Sequence, residues 1–82
     1  MNKMTKSLPV LKSDTTKAYG IREKLECKGE APIEVVHPGE MIRVYVKRPL
    51  LRGYRNRFYA SVRTKKGKDG YILAEAIYRT EG

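Results

Sequence analysis

The sequence predicts a small all-β domain, a compact antiparallel barrel of five short strands with a flexible or edge-strand arm at its N-terminus. Three observations predict it. In Met41 to Lys47 and again in Arg57 to Lys65, apolar side chains alternate with polar ones, which is the period of a strand with one buried face. Turn-forming Gly, Pro, Asn and Asp interrupt the chain every eight to twelve residues. At 82 residues, 40% hydrophobic and 33% charged, the chain can build one core and not two.

Residues 1–17 are expected to be the arm, either disordered or an edge strand, because Leu8, Val10 and Leu11 stand close together around a proline that only an edge tolerates. Residues 18–82 are expected to be the barrel. Its first strand falls near Tyr19 to Cys27, where helical spacing of Ile21 and Leu25 is the competing reading. Ile33, Val35 and Val36 form a β-branched stretch stopped by His37-Pro38-Gly39, a turn in which Pro fixes φ and Gly supplies a conformation other residues avoid.

In the strand Met41 to Lys47, alternation turns Ile42, Val44 and Val46 inward and Arg43, Tyr45 and Lys47 outward. Arg48 to Asn56 reads as a nine-residue connection. The next strand, Arg57 to Lys65, turns Phe58, Ala60 and Val62 inward and Arg57, Tyr59, Arg63 and Lys65 outward. Lys66 to Gly70 is a tight hairpin, Tyr71 to Leu73 a short strand, Ala74 to Ala76 a single helical turn, and Ile77 to Thr80 a closing strand.

The order of these signals resembles a bacterial-type Src-homology-3 domain. Tyr19-Gly20-Ile21-Arg22 stands in the place of that family's first strand, and Pro38 to Val44 matches its turn and second strand. Phe58-Tyr59-Ala60-Ser61-Val62-Arg63, then Gly67-Lys68-Asp69-Gly70-Tyr71-Ile72, and finally Ala76-Ile77 continue the match. Tyr59 stands where the family usually has Trp, and Glu23 to Lys28 replaces its Pro-rich turn. The resemblance implies the barrel and not the family's peptide or wall-binding role.

Charge is unevenly placed. The formal net charge is +9, and ten of the 18 Lys and Arg residues fall between Met41 and Lys68, a stretch with no Asp or Glu. Solubility alone is served by mixed signs, so the segregation points to a polyanionic partner. A single cysteine excludes an internal disulfide, no apolar run approaches the length that crosses a bilayer, and a soluble, cytoplasmic protein is expected, in a cell or delivered there by a phage.

An enzyme is not expected. Cys27 and His37 form the only conceivable nucleophile and base pair and nothing orients the imidazole, no ligand set for a metal exists, and no cofactor motif is present. The expected function is a non-enzymatic module binding nucleic acid or a nucleoprotein through Arg43, Tyr45, Lys47, Arg57, Tyr59, Arg63 and Lys65, with rings to stack on bases and cations to hold phosphates. The competing expectation is a protein-interaction module, such as a small phage-type inhibitor, that clamps an acidic protein surface with Leu50, Leu51, Arg52, Tyr54 and Arg55. Against both stands the ordinary occurrence of Tyr and Arg on solvated strand faces.

Overall fold

A computed structural model describes residues 4–11, 18–26 and 31–78. The all-β expectation holds over these residues: seven strands, all paired antiparallel, and two single 3₁₀ turns. The strands are β1 (Thr5–Pro9), β2 (Tyr19–Ile21), β3 (Glu34–Val36), β4 (Met41–Tyr45), β5 (Leu51–Arg52), β6 (Phe58–Arg63) and β7 (Asp69–Leu73). They form two sheets and no closed ladder. One sheet holds β1, β4, β6, β5 and β7, the other only β2 and β3. The two meet at a bridge in which Arg22 and Tyr71 exchange backbone hydrogen bonds of 2.8 and 2.7 Å.

The central strand is β6, and its composition explains why. Val62 and Ala60 face a core shared with Ile42, Val44, Ile21, Val36 and Ile72, all essentially without solvent contact. Fully burying β-branched and aliphatic side chains of this kind stabilises the fold by about 1.5–3 kcal/mol each. Along one edge β6 pairs with β7 from Tyr59↔Leu73 to Arg63↔Asp69. Its other edge is shared by β4 and β5.

Those two short strands are one strand interrupted. From Arg43 to Leu51 the chain advances eight residues while its partners on β6 advance four, from Arg63 to Tyr59, so four residues are looped out. The expected nine-residue connection is therefore a loop at Val46 to Pro49, a return to the ladder, and a tight turn. In that turn Gly53 donates to the carbonyl of Arg57 at 2.8 Å, and both central residues, Arg55 and Asn56, have φ of 60°. Two positive φ values in succession are the mark of the turn whose twist matches a hairpin.

Within the expected N-terminal arm, Thr5–Pro9 is an edge strand: β1 pairs with β4 from Thr5↔Tyr45 to Pro9↔Met41, with Pro9 at its end, while residues 1–3 and 12–17 of the arm lie outside the described residues. Val10, buried beyond it, exchanges backbone bonds with Glu40 and Gly39, both of 2.8 Å. The turn at His37 to Glu40 forms with Gly39 at φ +93°. The closing strand is not seen, since Ile77 and Tyr78 form a turn after the 3₁₀ segment Ala74–Ala76, and residues 79–82 lie outside the described residues.

Candidate functional site

Register decides which basic side chains meet. Arg43 on β4 lies directly opposite Arg63 on β6, with Ser7 of β1 on the far side of Arg43 and Asp69 of β7 on the far side of Arg63. Both arginines are exposed, and among the described residues neither has a carboxylate within ion-pair distance. Like charges directly opposite each other across a sheet oppose folding, and the one acid in register with the pair, Asp69 opposite Arg63, accepts the Tyr45 hydroxyl. Beside it the β6–β7 turn brings Lys65 and Lys66, and the four cations line a shallow groove of about 390 Å³ with Ser7, Met41 and Glu34.

The turn itself is held by Thr64, whose carbonyl accepts from the Gly67 amide at 2.9 Å and whose hydroxyl accepts from the Lys68 amide at 3.0 Å. Gly67, at φ +87°, makes the reversal without strain. At the groove's rim the Lys65 ammonium donates to Glu40 at 3.2 Å, and the Lys65 amide donates to Glu34 at 3.1 Å. The His37 amide and then the Lys65 ammonium hold the Glu40 carboxyl below its ordinary range. Lys65 is thus half engaged, while Arg43, Arg63 and Lys66 have no carboxylate partner among the described residues.

The two tyrosines expected beside these arginines are not presented to solvent. Tyr45 occupies the outward side of β4, as alternation requires, yet is 3% exposed. Ser61, small and buried, leaves room on β6 for the phenol to cross to β7, where its hydroxyl donates to Asp69 Oδ1. The looped-out residues then return Arg48 over the ring, its guanidinium carbon 3.9 Å from the centroid. The Asp69 carboxylate, and next burial, raise the Tyr45 pKa above its usual value.

Tyr59, expected to face solvent, is likewise buried, at 8% exposed. Gly53 packs against its ring so closely that a Cβ there would lie 3.0 Å from Cδ1, and the phenol hydroxyl donates to the Tyr54 carbonyl at 3.3 Å. The Tyr54 amide in turn donates to the Leu25 carbonyl at 2.9 Å, so the segment after β2 covers this end of the outward face. Alternation identified the side of the sheet correctly but could not see that this side is roofed in two places.

The other expected residues separate. Arg57 stands at the opposite end of β6 from Arg63, 4.0 Å from Glu75, and shares a second cleft with Tyr59, Tyr19, Tyr54 and Arg55. Lys47 is exposed in the looped-out segment, and Val46 beside it, expected inside, is 42% exposed because the strand has already ended. Leu50, Arg52 and Arg55 are exposed on the β5–β6 hairpin, with Leu51 and Tyr54 partly covered. Lys66, which joins Arg43 and Arg63 at the groove, was marked by its place in the basic run, whereas Ser7 had no signal in the sequence and arrives through the pairing of β1 with β4.

Cys27 lies outside the described residues, and among those described no group of three or more His, Cys, Asp and Glu is placed to hold a metal ion. No described helix is long and apolar enough to cross a membrane. No family model, curated protein or solved structure matches this chain.

Proposed function

We propose that the protein is a non-enzymatic basic module that binds nucleic acid through its phosphates, using the groove of Arg43, Arg63, Lys65 and Lys66. The single observation that carries this reading is the exposed Arg43–Arg63 pair, directly opposite each other on the sheet, with two lysines beside it. A guanidinium fork matches the paired oxygens of a phosphate, and bringing an anion between the two arginines converts a repulsion into two charge-assisted contacts.

The burial of Tyr45 and Tyr59 narrows the expectation. Without exposed rings at the groove, affinity comes from phosphates and not from base stacking, so single strands gain no advantage over duplex and base sequence matters little. As for the scaffold, we read the two sheets as a Src-homology-3-like barrel left open. The strand sequence β4, β6, β7 followed by a 3₁₀ turn, and the Arg22–Tyr71 bridge that ties β2 to β7, support that reading.

The test is fluorescence anisotropy of labelled duplex and single-stranded oligonucleotides of random sequence. Wild-type protein is expected to bind both comparably, and the double variant Arg43→Glu/Arg63→Glu neither. Equal binding by wild type and the double variant refutes the assignment.

A further inference from the structure

Phe58, the chain's one phenylalanine, belongs by alternation to the core side of β6 but is 48% exposed. It stands past Ala60, the last residue of that side to be buried, where the sheet runs on beyond the core. Leu50, immediately before β5, is 43% exposed. Arg52 lies directly opposite Phe58, its guanidinium carbon 4.5 Å from the ring centroid, and its Nη1 donates to the Asn56 side-chain oxygen at 2.9 Å. Leu73 and Ala74 line a hollow of about 360 Å³ beside Phe58, closed by Arg57 and Glu75.

We propose that this end of the hairpin is a docking site for an acidic segment of a partner protein, with a carboxylate on Arg52 and a neighbouring apolar side chain on Phe58 in the Leu73–Ala74 hollow. The site is separate from the phosphate groove and does not depend on it. Charge complementarity selects the occupant: Arg52 and Arg55 have no carboxylate within ion-pair distance among the described residues, and Glu75 is already engaged by Arg57. Arg52 is held in place by a ring and an amide before any partner arrives, which lowers the ordering entropy of binding, and Arg and aromatic anchors dominate protein interfaces.

A nucleic acid fits this place poorly. It carries a charge at every unit, so filling the hollow would set a phosphate against Leu73 and Ala74. A peptide spaces its charges apart. An Asp or Glu separated by a few residues from a Phe, Leu, Met or Trp satisfies both halves of the site.

The experiment is selection of phage-displayed random dodecapeptides on the full chain, followed by anisotropy of the most enriched peptide, synthesised with a fluorescein label. Enrichment of an acidic residue near a large apolar one is expected. Its affinity should fall at least about tenfold, the loss of one good charged or aromatic contact, in both Arg52→Glu and Phe58→Ser, and hold in Arg43→Glu. On the wild-type protein, amide shifts in NMR should map to residues 50–58 and 73–75, a result independent of how any variant folds. No enrichment, enrichment of peptides lacking acidic residues, or shifts at Arg43 and Arg63 instead would overturn the proposal. Displacement of the peptide by duplex DNA would do the same, since it would make the patch part of the phosphate groove.

Discussion

Arg55 and Asn56 both sit in the left-handed region, where Asn is tolerated and Arg is strained by contact between its Cβ and the following carbonyl. Replacing Arg55 with Gly removes that strain and should raise Tm by several degrees, since about 1 kcal/mol corresponds to roughly 4–8 °C in a domain this small. A lower Tm by differential scanning calorimetry would show that the cation–π contact of Arg55 with Tyr54, 5.5 Å from the centroid, outweighs the strain.

Tyr45 makes a pH prediction. Its pKa is raised in the folded state, chiefly by the hydrogen bond to Asp69, so the folded protein holds the phenolic proton more tightly than the unfolded chain does. That contribution is complete below the ordinary tyrosine pKa of about 10 and is lost as pH rises through the higher folded value. Burial and the nearby Glu75 carboxylate raise Tyr19 in the same direction. Urea midpoints should therefore fall as pH rises above about 10, and fall less in Tyr45→Phe, which starts about 1 kcal/mol lower at neutral pH through loss of the hydrogen bond. Parallel declines in the two proteins would contradict the assignment.

Among the elements, the joint between the sheets is the least forgiving. A Cβ at Gly70 would lie 2.7 Å from Ile21 Cγ2 and 2.9 Å from the Arg22 carbonyl oxygen. The carbonyl is backbone and is committed to Tyr71, so Gly70→Ala cannot be absorbed by a rotamer change. Overpacking of this kind costs about 1–3 kcal/mol, and Tm should drop accordingly. An unchanged Tm would mean that β2 and β7 do not approach as described.

Legibility differed between elements for physical reasons. The strand cores at Ile42, Val44, Ala60 and Val62 were readable because alternation is a local property of the chain. The interruption between β4 and β5 was not, since Val46 continues the apolar period for one residue after the strand has stopped, and no local signal marks a looped-out segment. The roofing of Tyr45 and Tyr59 depends on Arg48, Gly53 and Leu25, residues brought there by tertiary packing. Of the candidate site, the Arg43–Arg63 juxtaposition was legible because pairing β4 with β6 places these two outward residues together. The position of Arg57 at the far end of the same strand was equally implied by its distance from Arg63, yet charge composition alone groups the three together.

For the molecule as a whole, the question is whether its excess charge is placed or merely abundant. If the groove is a binding site, stability and affinity respond oppositely to one substitution. Arg43→Glu puts a carboxylate opposite Arg63, replacing a repulsion with an attraction of about 0.2–1 kcal/mol, so Tm should hold or rise while polyanion binding is lost. Mere abundance predicts a small loss of affinity in proportion to the charge removed.

The most direct measurement is the salt dependence of duplex DNA binding, followed by anisotropy for wild type and Arg43→Glu. Four phosphate contacts by Arg43, Arg63, Lys65 and Lys66 give wild type a log–log slope of about −3.6, and binding by the variant should be undetectable at physiological salt. A wild-type slope near zero, or a variant that binds as tightly as wild type, would contradict the account.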